Sequence, residues 1–361
     1  GSDRDMVAFR RALTTNAPER AAILRVTEEV LLPFSAEAFV IVESAPEGGA
    51  VFVSPDIALC EKCRRELFDP TDRRYLHPFI NCTACGPRLT ILDAMPYDRE
   101  NTSMKAFPMC ASCAAEYDDP ASRRYDAQPV CCPDCGPSVY LLDSALRGSA
   151  AIREVRRRIA AGEIVAIKGI GGFHLCCDAQ SEAAVARLRR DKRRPFKPFA
   201  VMARDLAVAA REAVVSKEAA EVLDGPEKPI LLLARRPDGR IAEGVTPGLS
   251  RVGLMLPYTP LHWLLFSYPD GVAMPDVLVM TSGNPPGAPI CRTDGEARAA
   301  LAPLSDVILS HDRRIRGRAD DSVMDWVENA PYMVRRSRGY APLPVMLASP
   351  LRGEVLALGG E

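Results

Sequence analysis

Several things are scarce in this 361-residue chain. No apolar run approaches the roughly 20 residues needed to span a bilayer, so a membrane-spanning helix is not expected. Nothing near the first residue reads as a secretory signal, which makes the reducing cytoplasm the expected compartment. An excess of either charge is also missing: 46 Lys and Arg face 47 Asp and Glu, a formal net of −1, which argues against bulk attraction to nucleic acid or a membrane surface. There is no basic stripe interleaved with aromatics, no Walker loop and no dinucleotide fingerprint.

Cysteine and proline are plentiful, at 12 and 31 residues. Eight of the cysteines form four Cys-x-x-Cys pairs, Cys60/Cys63, Cys82/Cys85, Cys110/Cys113 and Cys132/Cys135, separated in turn by 18, 24 and 18 residues. The second half repeats the first at an offset of 50: Glu66, Asp69, Pro70, Arg73, Arg74, Tyr75, Gly86 and Pro87 recur with the cysteines. Two knuckles about 15–20 residues apart suit a closed tetrahedral zinc site, so two structural Zn²⁺ per chain are expected. Asp69-Pro70 and Gly86-Pro87 supply turns, and little apolar material lies between the knuckles. Disulfides or a redox Cys-x-x-Cys are the alternatives; a reducing compartment disfavours the first and four pairs in register the second. Sequential sharing, Cys60/63/82/85 and Cys110/113/132/135, is favoured over interleaved sharing, and four thiolates leave no open position for catalysis.

Residues 1–45 show helical spacing at Met6, Phe9 and Leu13 and two strand-like stretches, 21–32 and 38–43, too few elements to close a core. The expectation is that the chain starts inside a domain. Residues 46–142 hold the cysteine array, and the polar stretch 143–150 reads as a linker. From 151 to 345 helices (152–161, 182–192, 217–223, 295–301) alternate with apolar strands (163–168, 198–202, 229–233, 252–256, 277–280), which predicts an α/β domain around a twisted mixed sheet.

Four groups near strand ends carry possible chemistry. Lys168-Gly169-Ile170-Gly171-Gly172-Phe173-His174 permits close backbone approach to an anion, or is a plain tight turn. Residues 187–197 bring Lys192, Arg194 and Lys197 through two prolines into a strand, which holds cations rigidly beside the sheet where a helix face alone would leave them solvated. Thr281-Ser282-Gly283-Asn284 places hydroxyls and an amide where open sheets bind ligands, or is a polar turn. Asp320-Asp321-Ser322, between Arg313/314/316/318 and Arg335/336/338, offers carboxylates for Mg²⁺ and phosphate, or simple ion pairs. His174 and His262 sit among apolar residues, where a structural histidine is the commoner role. Together the groups describe a cationic pocket suited to a nucleotide triphosphate.

The array, with Pro78–Thr83 and Ala106–Cys110 beside it, resembles the HypF carbamoyltransferases of [NiFe]-hydrogenase maturation. Residues 168–175, 192–202, 255–262, 280–284, 320–322 and 335–342 resemble a YrdC-type nucleotide-binding domain. The resemblance implies that residues 1–45 are the end of an acylphosphatase-like α+β domain and that 354–361 open a C-terminal transferase domain, the whole being the middle of a longer enzyme. It implies hydrolysis of carbamoyl phosphate to carbamate, attack of carbamate on the α-phosphorus of ATP, and passage of the carbamoyl group to the C-terminal cysteine of HypE. Only the adenylation step maps here. The resemblance puts Lys192, Arg194 and Lys197 on the phosphates and Ser282 and Asn284 on phosphate or ribose. Lys168 and His174 fall on the carbamate side, with Asp321, Ser322, Arg336 and Arg338 closing the pocket, and Arg194, Lys168 and His174 as the catalytic set. Competing expectations are a threonylcarbamoyl-adenylate synthase for tRNA modification, whose relatives lack the cysteine array, and a zinc-dependent docking or nucleic-acid-binding module.

Overall fold

The strands after the cysteine array alternate between two buried faces, and that alternation builds the fold. On Phe173–Asp178, Phe173, Leu175 and Cys177 enter one apolar cluster while Cys176 enters another; on Val277–Ser282, Val277 and Val279 oppose Leu278 and Met280 in the same way. A sheet buried on both faces needs a layer on each. The computed structural model describes residues 3–17, 21, 23, 26–29, 53–327, 330–345 and 353.

Ten strands are described: β1 Val139–Leu141, β2 Val165–Lys168, β3 Phe173–Asp178, β4 Ala200–Ala203 and β5 Ile230–Ala234, then β6 Arg251–Met255, β7 Val277–Ser282, β8 Val307–His311, β9 Val323–Val327 and β10 Ala330–Arg335. They form one mixed sheet in the order β1-β8-β2-β3-β7-β4-β6-β5-β9-β10, with β2–β8, β4–β6 and β5–β9 parallel. The helices are α1 Asp3–Thr15, α2 Glu61–Phe68, α3 Ala111–Asp118, α4 Gly148–Ala160 and α5 Glu182–Asp191, then α6 Leu206–Glu212, α7 Lys217–Asp224, α8 Pro260–Phe266 and α9 Asp294–Leu301. Helices α5, α6, α7 and α9 cover one face of the sheet. Helices α4 and α8 cover the other, joined by Leu67, Phe79, Ile80, Ile91 and Met104 from the cysteine array. Fully burying each such side chain is worth about 1.5–3 kcal/mol, so the array shares the core of the sheet domain as well as its own metal sites. Residues Ala50–Glu361 form one compact unit and Gly1–Gly49 another.

Most expected elements are present within a few residues of their expected bounds. The stretch 143–150 is not a linker: Asp143 and Gly148 adopt left-handed φ of 60° and 54°, which turns the chain tightly from β1 into α4, and Tyr140 bridges Arg147 across the turn. The strand expected at 38–43 and the segment 354–361 lie outside the described residues, as does most of 21–32. Residues 168–173 form a hairpin turn between antiparallel β2 and β3, closed by Gly169 N–H donating to the Gly172 carbonyl at 2.8 Å. Its glycines serve packing: a Cβ on Gly171 would stand 2.2 Å from the Ala319 carbonyl oxygen, and one on Gly172 2.6 Å from Ile290. This close approach pins the 319–321 segment beside β3.

Candidate functional site

The two halves of the cysteine array fold alike, down to left-handed residues at matching positions, Leu76 (φ 54°) and Asp126 (φ 51°). In the first half the Sγ atoms of Cys60/Cys82, Cys82/Cys85 and Cys85/Cys63 lie 3.7, 3.8 and 3.6 Å apart. In the second, Cys110/Cys132, Cys132/Cys135 and Cys135/Cys113 lie 3.7, 3.7 and 3.6 Å apart. A tetrahedron of sulfurs at about 2.3 Å from a central zinc has edges of about 3.8 Å, whereas a disulfide requires about 2.05 Å. All twelve cysteines are free thiols, so the grouping is sequential and the disulfide alternative falls.

Each cluster is braced by the other repeat. Arg73 donates to Cys113 Sγ at 3.2 Å, and the equivalent Arg123 donates to Cys63 Sγ at 3.2 Å. Arg74, only 1% exposed, pairs with Glu116 and reaches the Cys131 carbonyl at 2.8 Å; Arg124 pairs with Glu66 and reaches the Asn81 carbonyl at 3.1 Å. Burial alone would raise the Glu116 carboxyl, but hydrogen bonds from Arg74 and Arg73 outweigh it and bring it down to about 2. A positive charge aimed at a ligand sulfur stabilises thiolate, the form that binds metal.

The nucleotide candidates gather where β7 ends and the loop from α5 enters β4. Lys192, buried, donates from Nζ to the Ser282 carbonyl, to the Asn284 carbonyl at 3.2 Å and to Asn284 Oδ1 at 3.1 Å, while Ser282 Oγ contacts that same Oδ1 at 2.8 Å. Arg194 lies alongside, 3.4 Å from Thr281 Oγ1. The loop owes its shape to Arg189, whose guanidinium donates to the carbonyls of Arg194 (2.7 Å), Lys197 (3.1 Å) and Val245 (2.9 Å) and stacks on Phe199. Burial, then the neighbouring Arg194 and Lys197, push the Lys192 amine down to about 8; burial, then Arg189 and Arg335, push Arg194 down to about 10. Cations held together without a carboxylate partner are prepared for an anion. The Lys197 side chain is exposed and makes no such contact.

Asp321, Ser322 and Arg338 do not close this cluster as ligand-binding groups; the structure commits them to one another. Asp321 accepts from Arg338 Nε at 2.8 Å and contacts His174 Nε2 at 3.1 Å, so both oxygens are engaged and neither is free for Mg²⁺. Burial would raise that carboxyl, but the Arg338 charge and the His174 contact hold it well below the usual range. Arg338, 2% exposed, also donates to the Glu227 and Lys228 carbonyls at 2.8 Å each and stacks 3.5 Å from the Tyr258 ring. Ser322 Oγ donates to the Arg338 carbonyl at 2.9 Å. Arg336 is exposed and turned to the Leu343 carbonyl, whereas Arg335, whose charge acts on Arg194, donates to the Asp321 carbonyl at 2.9 Å. His174 connects the two groups, standing opposite Ser282 in the β3–β7 register. Lys168, at the end of β2, donates to the His311 carbonyl at 2.8 Å and lies 3.5 Å from Asp294. Thr281, Arg189 and Tyr258 fell within stretches the sequence marked, but their individual contacts were not legible, and Asp294 gave no sign of its role, because each partner is remote in the chain. No helix among the described residues is long and apolar enough to cross a membrane.

The HypF finger profile matches residues 59–92 and 109–142, and the Sua5/YciO/YrdC profile, described as telomere recombination, matches 157–337. Carbamoyltransferase HypF2 of Cupriavidus necator is 48% identical over 381 aligned residues, covering 100% of this chain and 47% of the relative. Carbamoyltransferase HypF of Rhizobium leguminosarum bv. viciae is 48% identical over 96% of the chain and 44% of its own length. A crystal structure of full-length HypF in a phosphate- and nucleotide-bound form superposes with a TM-score of 0.90 at 45% identity, covering 96% of this chain and 45% of that one. The HypF structure from T. kodakarensis gives 0.86 at 44% identity over 96% and 44%. The chain spans about half the length of these relatives.

Proposed function

The chain belongs to the HypF carbamoyltransferase family, and from that premise we propose that it carries the adenylate-forming part of a carbamoyl transfer. Carbamate, derived from carbamoyl phosphate, attacks the α-phosphorus of ATP; a P–O bond forms to carbamate, the bond to the bridging oxygen breaks, and pyrophosphate leaves. The observation that carries this reading is the junction of Lys192 with Ser282 and Asn284, beside Arg194. Charge grows on the leaving pyrophosphate, and fixed cations at the strand tips stabilise it more in the transition state than in bound ATP. Mg²⁺ would share that task. The two zinc ions brace the array and take no part in the chemistry, since four thiolates leave them no open position. The carbamoyl group would then pass, in the longer cytoplasmic enzyme, to HypE.

Two results test the site. Arg194→Ala is expected to weaken ATP binding roughly 10–100-fold, the usual effect of one charge-assisted hydrogen bond, with the unfolding transition unmoved. Isothermal titration with a non-hydrolysable ATP analogue measures it, and unchanged affinity would place the nucleotide elsewhere. Pyrophosphate exchange into ATP should require carbamoyl phosphate or carbamate and should fail with threonine plus bicarbonate; the reverse pattern would favour threonylcarbamoyl-adenylate synthesis.

The Lys192 amine adds a pH dependence of definite sign. A lysine with its free-state value near 8 is charged below that pH, and a bound triphosphate raises the value, so binding takes up a proton around it. ATP affinity should therefore be flat at neutral pH and fall by up to about tenfold per unit above 8. Lys192→Arg should flatten that fall; an identical slope in the variant would remove Lys192 from the anion's surroundings.

A further inference from the structure

Phe196 is the most exposed large apolar side chain among the described residues, at 80%, and an aromatic ring left in water forgoes the contacts that such rings usually find. It does not stand out because its loop is loose. The buried Arg189 guanidinium donates to the carbonyls of Arg194 at 2.7 Å, Pro195 at 3.4 Å and Lys197 at 3.1 Å, on both sides of Phe196. Arg194 Nε adds a further bond to the Lys197 carbonyl at 3.1 Å. Pro195 and Pro198 fix their φ angles in the same stretch, and Arg193 enters it in a left-handed conformation, φ 49°. Two arginines and two prolines therefore hold one ring out to solvent.

The phosphate cations belong to this same loop: Lys192 is bonded to the Ser282–Asn284 tip, and Arg194 lies against Thr281. Phe196 follows Arg194 by two residues, a separation of at most about 7 Å, which a ribose bridges. A nucleotide with its phosphates on the cations has its base within reach of the ring. The polar side chains at the tip are already engaged: Asn284 Oδ1 is contacted by Lys192 and by Ser282 Oγ, and Asn284 Nδ2 donates to the Ala288 carbonyl. Residues 192–198 include no carboxylate and no side-chain amide to read the edge of a base. What the loop offers beyond its cations is a π-face.

We propose that Phe196 is the base platform of this site: its ring stacks on the base of a nucleoside triphosphate whose phosphates lie on Lys192 and Arg194, with purines favoured by their larger face and adenine and guanine bound alike. The position of the phosphates rests on the reading above; the platform is additional to it. Stacking tolerates base identity because every base has a π-face, whereas telling one purine from another needs donors and acceptors aimed at their edges. A ring already fixed in place loses little freedom when the base arrives, so the clamped loop strengthens binding.

The test sets nucleotides beside a base-free polyphosphate. The 361-residue chain is titrated calorimetrically with non-hydrolysable ATP, GTP and UTP analogues and with inorganic tripolyphosphate, as the parent and as Phe196→Ala, Phe196→Leu and Phe196→Trp. Phe196→Ala should weaken the ATP analogue about fivefold or more, the usual effect of losing one base–aromatic stack, and leave tripolyphosphate within about twofold. Phe196→Leu, which keeps apolar area without the π-face, should lose most of the same factor. Phe196→Trp should retain binding and show an indole emission change, absent from the parent, with the ATP analogue and not with tripolyphosphate. The parent should bind the GTP analogue as it binds that of ATP, and the UTP analogue more weakly. The proposal fails if Phe196→Ala binds the ATP analogue as the parent does, or if it loses tripolyphosphate in the same proportion, which would mark a residue that only shapes the loop. A strong preference for adenine over guanine would equally overturn it. Tripolyphosphate bound by the parent and lost in Arg194→Ala upholds the phosphate site whatever Phe196 does, whereas a parent that binds neither probe removes both.

Discussion

Cys63→Ser is expected to release zinc from its own cluster and to weaken the other, lowering the metal content of purified protein from about two per chain to one or less. The first loss follows from ligand count, since a closed tetrahedral site tolerates no missing thiolate. The second follows from Arg123, which contacts Cys63 Sγ and, with Arg124, holds Glu66, so that losing the first cluster loosens the segment leading to Cys132 and Cys135. Apparent zinc affinities of isolated fingers correspond to roughly 10–16 kcal/mol at neutral pH, and part of that is folding energy. Because Leu67, Phe79 and Ile80 belong to a core shared with the sheet, the cost should spread beyond the array. Elemental analysis with thermal unfolding, with and without chelator, measures both effects. Two zincs retained in the variant, or a transition indifferent to chelator, would overturn the assignment. Arg74→Met, which replaces no ligand but removes the contacts to Glu116 and to Cys113 Sγ (3.5 Å), should show the cross-effect alone: all eight cysteines intact, yet faster zinc loss from the 110–135 cluster.

The second large effect belongs to Asp321. Asp321→Ala strands the Arg338 guanidinium, 2% exposed, with only backbone acceptors and a tyrosine face, and deprives His174 of its partner. Breaking a buried ion pair by removing one member typically costs about 3–5 kcal/mol, more than the Coulombic contact alone, because the remaining charge stays desolvated. Arg336→Ala, on an exposed side chain, should cost within about 0.5 kcal/mol. Denaturant unfolding compares them. Were Asp321 instead a metal or phosphate ligand with no structural duty, its alanine variant would keep its stability and lose ATP affinity.

What could be read in the sequence divides along a physical line. The zinc ligands were legible because coordination spacing is local, and a fifty-residue repeat doubles the signal. The approach of Lys192 to the Ser282-Gly283-Asn284 tip was foreseeable as two strand-end motifs expected at one edge, and they do meet. Strand β3 was hidden because Phe-His-Leu-Cys-Cys-Asp is buried on both faces and shows no polar alternation. Helices α6 and α8 have seven residues each, too few to display a period; β9 (Val-Met-Asp-Trp-Val) is half-buried and β10 (Ala-Pro-Tyr-Met-Val-Arg) largely exposed, and neither alternates between apolar and polar residues. The buried network of Asp321 and Arg338 looked like a ligand site because acids flanked by arginines suit phosphate and ion pairs equally; only burial distinguishes them. Arg313 was legible only as one of four arginines before Asp320, with nothing local to single it out as the buried one.

The mutual grip of the two cysteine repeats bears on symmetry. In each, the arginine pair and the glutamate plus sulfur it seeks sit on the same face, so one repeat holds both halves of the contact. A surface of that kind is self-complementary, and such surfaces close as two-fold pairs. The tandem therefore has the form of a two-fold pair within one chain, with the 24 residues between Cys85 and Cys110 keeping its halves together.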